Sequence, residues 1–247
     1  MLGLGTSITH PDYIASGSYI QANGASVGLQ LWLPNASGEF SDVLTLNGSD
    51  VSQWGDKSGN NNHARQTTAS FQPAAADGGA DFTSANADRL DLSSDLALTQ
   101  FHIFMVLELD TLVNETILGN AGNSGEFIRI VDANSYRHKA SSGTETVIFD
   151  YTSGKTVSTG TKFLYEVFRD TDSIEVFVDG DHFTASPASG NNASNPSKPL
   201  TINQIATQRN NAANTDGHIY EVAIFNEVLT GDALTNVRNE INTRNGL

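Results

Sequence analysis

Nothing constrains this chain more than the shortness of its apolar runs. From Leu29 to Phe225 they are separated by clusters of Asn, Gly, Asp and Ser, the pattern of strands joined by turns. Strands are predicted at Leu29–Leu33, Val51–Trp54, Leu90–Leu92, Phe101–Leu109, Thr116–Leu118, Glu126–Val131, Thr146–Phe149, Phe163–Arg169, Ile174–Val178, Leu200–Ala206 and Gly217–Phe225. A series of this kind folds as an all-β sandwich or jelly roll. Phe163–Val178 reads as a hairpin turning at Asp170-Thr171-Asp172, with Ile174, Val176 and Val178 on one face and Glu175 and Phe177 on the other. The next turn, Asp179-Gly180-Asp181, carries an Asp-Gly pair that tolerates positive φ.

Only the end of the chain reads as a helix. Thr230 fits the N-cap, Asp232 the first turn, and Leu234, Val237 and Ile241 form one apolar stripe. Arg244 falls in the last turn and Gly246 at the C′ position. Residues 1–27 are rich in Gly and Ser and are predicted as an extended arm, ahead of a single domain over residues 28–247.

Charge and composition remove several functions. Lys and Arg number 13 against 28 Asp and Glu, a net charge of −15, which disfavours nucleic acid and anionic membranes as partners. Cysteine is absent, so disulfides, thiolate metal sites and Cys nucleophiles are excluded. Met1–Gly28 has neither a basic n-region nor an apolar h-region, so a secretory signal is not expected, and no stretch approaches the ~18 apolar residues of a membrane span.

Two segments carry a family resemblance. The stretch from Val51 to Ala64, which contains Trp54-Gly55-Asp56-Lys57-Ser58-Gly59-Asn60-Asn61-Asn62-His63, follows Leu31-Trp32-Leu33 and resembles the opening of LamG-like jelly-roll domains of the concanavalin A-like lectin/glucanase superfamily. The ending from Asp216 to Asn226, then Leu229-Thr230 and the helix to Arg244, resembles that family's final strand and closing helix. The resemblance covers Leu29 to Leu247. It implies a concanavalin A-like jelly-roll β-sandwich with one C-terminal helix and an N-terminal arm, and it leaves function open, because this architecture hosts lectins, hydrolases, adhesion modules and virion proteins.

Read from the residues, Asp56 and Ser58 suit a Gly/Asn-rich turn, and Trp32 and Trp54 suit half-buried strand positions. Glu221 is placed to accept bonds from the Asp56–Asn62 loop. A glycan-binding alternative uses Trp54, Asp56, Asn60, Asn62, Tyr136 and Tyr151. Calcium is the ion an acidic β-sandwich would take, with Asp170, Asp172, Asp179 and Asp181 as ligands; otherwise no cofactor is expected.

Catalytic signatures are missing. The two-carboxylate glucanase motif survives only as Glu108-Leu109-Asp110, with Val113 in place of the third acid. The histidines lack zinc spacing, and Gly154-Lys155-Thr156 lacks the earlier glycine of a phosphate loop. The polar loop Ser186–Pro199 is a candidate contact surface.

The expectation is therefore a non-enzymatic virion structural protein of a bacteriophage, a capsid-decoration or tail-associated component. It would be made in the host cytoplasm, oligomeric in the assembly and anchored to other virion proteins by its arm. The alternative is a carbohydrate-binding or adhesion module for a cell-surface or capsular glycan, and a polysaccharide hydrolase ranks third.

Overall fold

The nine-residue strand Phe101–Leu109 has almost every side chain buried, although its sequence is too apolar to alternate. That is the signature of a strand covered on both faces. One face meets a second sheet, and the C-terminal helix lies on the other. The computed structural model describes residues 18–122, 125–142, 145–152, 155–170, 174–184, 186–187, 199–209 and 213–247.

Strand pairings, all antiparallel, separate into two layers. In the smaller, Gly217–Phe225 is flanked on one side by Leu29–Leu33 and Gly79–Phe82, and on the other by Phe101–Leu109. The order then runs through Phe163–Arg169 and Ile174–Val178 to Asp181–Thr184. The larger runs Leu44–Asn47, Asp50–Trp54, Ala64–Arg65, Leu90–Leu98, Leu200–Ile205, Glu115–Gly119, Phe127–Asp132, Ser135–Ser142 and Glu145–Thr152, with Ser186–Pro187 at its edge. Among the described residues the layers are joined at a single bridge, Asp50 to Ala74, whose strand Ala74–Ala76 pairs with Gly79–Phe82. The architecture is the expected jelly-roll β-sandwich.

The hairpin forms in the predicted register. Tyr165 pairs with Val178 and Val167 with Val176, and Ile174, Val176 and Val178 point inward. The helix spans Gly231–Asn245; Gly246 takes a left-handed conformation at φ 71°, and Val237 and Ile241 are buried. Thr230 precedes it in extended conformation but makes no side-chain cap bond.

Two pairs of charges pin this helix to the smaller sheet. Glu166 accepts Arg238 through Nε and Nη2, both at 2.7 Å, and His102 Nε2 at 2.7 Å, while His102 Nδ1 accepts Leu229 N–H at 3.1 Å. Those two bonds fix the His102 tautomer with its proton on Nε2. Glu221 accepts Arg244 Nη1 at 2.6 Å, Trp32 Nε1 at 2.8 Å and Asn245 Nδ2 at 2.7 Å. The partners of Glu221 are thus the helix and Trp32, not the Asp56–Asn62 loop.

Of the predicted arm, residues 1–17 lie outside the described residues. Ser18 caps a one-turn helix, Tyr19–Asn23, by accepting Gln21 N–H at 3.0 Å, and Ile20 is fully buried. Ile20 N–H and Ser18 Oγ both donate to Glu240 of the C-terminal helix. Residues 18–27 are therefore part of the folded body, held by one apolar anchor that a Gly/Ser-rich composition hides.

Candidate functional site

The loop that carries the family resemblance is built around one carboxylate. Asp56 is buried and its Oδ1 accepts Trp32 N–H at 3.0 Å and Ser58 N–H at 2.8 Å. Its Oδ2 accepts Ser58 Oγ and Asn62 N–H, both at 2.8 Å. The Asp56 N–H in turn donates to His63 Nδ1 at 2.9 Å. Asn62 exchanges two bonds with Ser94, and the Asn60 amide donates to the carbonyls of Leu29 and Gln30. These side chains tie the loop to the first strand and spend their polar atoms doing so.

The aromatics expected on the surface are inside. Trp54 is fully buried, not half-buried, and donates Nε1–H to Pro34 O at 2.9 Å; Trp32 is equally buried. Tyr136 faces the sandwich interior beside Tyr165, with ring centroids 5.3 Å apart, and burial raises its phenol pKa. Neither Trp54 nor Tyr136 presents a face on which a sugar could stack. Tyr151 stands opposite Tyr136 in the register, and its side chain lies outside the described residues.

The acidic turns are also engaged. Lys155 Nζ lies 3.1 Å from Asp179 and 3.4 Å from Asp181, and Asp179 Oδ1 accepts Leu164 N–H at 2.8 Å. Burial works against the ammonium, but the two carboxylates outweigh it and raise its pKa. A calcium ion here would first have to displace Lys155. Asp170 follows its strand, and Asp172 lies outside the described residues, as does most of the Ser186–Pro199 loop. Among the described residues no three His, Asp or Glu side chains converge as metal ligands.

Two other surfaces gather polar groups. The first is a cleft of about 360 Å³ at the seam where the two sheets join, lined by Asp50, Ser70, Gln72, Thr83, Asn86 and Asp88. Gln72 forms a fixed wall, accepting from Asn47 at 2.9 Å and donating to Gln66 O at 2.6 Å. Asp88 accepts Thr83 N–H at 2.9 Å; burial, with the charges of Asp50 and Asp81 adding to it, raises the Asp88 pKa. Ser70, Thr83 and Asn86 are exposed at the rim, and the Arg89 guanidinium covers the Phe71 ring at 4.2 Å. Hydroxyl, amide and carboxylate oxygens thus meet in one concavity without a lining cation.

The second is the outer face of the larger sheet. Arg129 pairs in register with Thr116 on one side and Arg137 on the other, and Phe127 pairs with Lys139. Ile128, Ile130, Tyr136 and His138 of the same strands point inward. Arg129 covers the Phe127 ring at 4.1 Å and donates Nε–H to Thr116 Oγ1 at 3.1 Å.

Of the remnant glucanase motif, Glu108 accepts the Tyr220 hydroxyl at 2.9 Å and Val113 is exposed.

No family model matches the sequence, and no curated protein matches it. Solved structures are similar in fold. A Trypanosoma rangeli sialidase in complex with 2,3-difluoro-KDN is 14% identical with a TM-score of 0.55, over 87% of this chain and 33% of that one. The binding domain of Paraclostridial Mosquitocidal Protein 1 is 13% identical with a TM-score of 0.53, over 89% of this chain and 52% of that one. Domain 4 of AbnA, a GH43 extracellular arabinanase from Geobacillus stearothermophilus, in complex with arabinotriose, is 14% identical with a TM-score of 0.50, over 87% of this chain and 99% of that one. The chain spans about a third of the sialidase and nearly the whole of the arabinanase domain. The fold they share with it is the jelly-roll β-sandwich.

Proposed function

We propose that this protein is a non-catalytic carbohydrate-binding module whose seam cleft takes a neutral saccharide. The observation that carries the reading is the cleft itself: about 360 Å³, with Asp50, Ser70, Thr83, Asn86 and Asp88 presenting oxygens and amides to one small volume. A saccharide is a dense array of hydroxyls that both donate and accept, and carboxylates accept neighbouring pairs of them. The volume lies within the range of small-ligand sites, roughly 300–1,000 Å³. Two acids and no lining base favour an uncharged sugar. Likeness to an arabinanase domain solved with arabinotriose supports the same reading over the virion one.

The test is titration calorimetry against arabinotriose and a panel of neutral oligosaccharides, with and without calcium. The Ser70→Ala/Asn86→Ala double variant changes only exposed side chains. Each lost hydrogen bond is worth about 1 kcal/mol, so affinity is expected to fall about tenfold or more. A panel silent toward every neutral sugar would sink the proposal.

A further inference from the structure

Of the polar residues lining the seam cleft only Gln72 and Asp88 are buried, so these two form its floor. The Gln72 amide is spent, accepting from Asn47 and donating to Gln66 O. Asp88 has capacity left: its Oδ2 accepts Thr83 N–H at 2.9 Å, and an ionised carboxylate offers about four acceptor positions. Its place is fixed from both ends of the turn Ser84–Asn86. Ala87 takes a left-handed conformation at φ 59°, Ser84 N–H donates to Asp216 Oδ1 at 3.1 Å, and Arg89 N–H donates to Phe71 O at 3.0 Å. A hydroxyl entering the cleft therefore meets a preorganised acceptor.

The surroundings oppose the charge on that acceptor. Burial does most to raise the Asp88 pKa, and Asp50 of the strand Asp50–Trp54 and Asp81 of Gly79–Phe82 raise it further; Thr83 N–H and the Asn86 side chain act the other way without overcoming them. The turn Ala69–Phe71 and Gln72 bring no charged group, and the Arg89 guanidinium is turned onto the Phe71 ring and Ala87 O. No cation lines the cleft among the described residues. The ionised form is thus sustained by hydrogen bonds, and each hydroxyl donated by a ligand adds to them.

We propose that Asp88 anchors the sugar: its ionised carboxylate accepts a pair of neighbouring hydroxyls, and protonation releases the ligand. The inference rests on the carbohydrate-binding reading and adds to it a contact residue and an acid-triggered release. A ligand that binds the ionised form lowers the Asp88 pKa, so affinity is full above the pKa of the free cleft and is lost as pH falls through it. Because burial and the neighbouring acids hold that pKa above 3.8, the loss starts at milder acidity than an exposed aspartate would give.

The experiment titrates the full chain with arabinotriose, xylotriose and mannotriose by calorimetry at pH 7 and pH 4.5, with melting temperatures recorded at both. The variants are Asp88→Asn, which keeps an oxygen for Thr83 N–H, and Asp50→Asn. A sugar bound at pH 7 is expected to weaken at pH 4.5 by more than the about 1.2-fold of a carboxylate with a pKa of 3.8. Asp88→Asn is expected to bind at least about tenfold more weakly at pH 7 and equally at both pH values. Asp50→Asn should keep the dependence but lose less at pH 4.5, since one charge that raises the Asp88 pKa is gone. Carbon-13 titration of the Asp88 carboxyl in the native chain needs no variant, and its midpoint should fall when the sugar is added. Native affinity unchanged at pH 4.5, a pH dependence that persists in Asp88→Asn, or a midpoint the sugar does not move would overturn the role of Asp88 and leave the cleft reading standing. Silence of all three sugars at both pH values would overturn both.

Discussion

Asp56→Ala separates the two roles that its loop admits, ligand contact and scaffold. The native carboxylate accepts four hydrogen bonds at 2.8–3.0 Å. The two donors on Ser58 are half-buried and can turn to water in the variant. The N–H groups of Trp32 and Asn62 are buried and cannot. Each stranded donor costs about 1–3 kcal/mol, so the loss is expected near 4 kcal/mol. Against a total stability of roughly 5–15 kcal/mol this is a large share, and at about 2–4 °C per kcal/mol the melting temperature falls by roughly 8–16 °C. Ser58→Ala, removing one half-buried hydroxyl bond, should cost under about 1 kcal/mol. Urea titrations of both variants, compared at equal m-value, provide the measurement. If Asp56→Ala instead loses less than about 1 kcal/mol and abolishes glycan binding, the carboxylate is a ligand group and the scaffold argument is wrong.

Glu221→Ala should cost about 3–5 kcal/mol by taking the acceptor from the buried Arg244, Trp32 and Asn245 groups, with Glu240 the carboxylate left to Arg244, and Glu221→Met/Arg244→Met should recover part of it; a single variant as stable as the native chain would refute the anchoring role. Stability should fall on acidification in two stages. Burial outweighs Glu166 and lowers the His102 pKa from 6.5, so below that pH the unfolded chain binds the proton first. Burial opposes ionisation of Glu166, but His102 and Arg238 overcome it and hold its pKa below 4.5, so a second loss begins there. A melting temperature flat from pH 7 to 4 would contradict both signs. Millimolar calcium should leave the native melting temperature unchanged, because Lys155 already bridges Asp179 and Asp181; a calcium-dependent rise abolished by Asp179→Asn would place an ion at that turn.

How much of this was legible depends on where the apolar residues sit. Leu29–Leu33, Phe101–Leu109, Phe163–Arg169, Ile174–Val178 and Gly217–Phe225 were readable to the residue, because each buries large side chains on one or both faces. Ser135–Ser142 was not. Its inward side chains are Tyr136, His138 and Ala140, a weak apolar signal, and it is a strand because its neighbours on both sides supply partners. Ala74–Ala76 and Gly79–Phe82 carry too little side chain to announce themselves. The cleft was invisible for another reason: Asp50 opens a strand, Ser70 lies in the single turn Ala69–Phe71, and Thr83 and Asp88 flank the turn Ser84–Asn86, three segments that meet only after the sheets join. The cationic face did leave a trace. Arg129 and Arg137 are equidistant from Ala133, as Phe127 and Lys139 are, so recognising that hairpin would have set them side by side.

The placement of recognition follows from which faces the fold leaves open. In the smaller sheet one face meets the larger sheet, and the other is covered where Arg238 and Arg244 tie the helix to Glu166 and Glu221. Basic side chains spent there, together with Arg169, whose guanidinium donates to the Leu98 and Thr99 carbonyls, are structural and face no solute. The larger sheet is open on its outer face, as the exposed residues of Leu90–Leu98 show. Asp50 contributes to the cleft from its early strands, and Arg129, Arg137 and Lys139 share a face toward its other end. A net charge of −15 therefore describes the sum and conceals the arrangement, in which acids line the seam while Arg129, Arg137 and Lys139 share one strand pair.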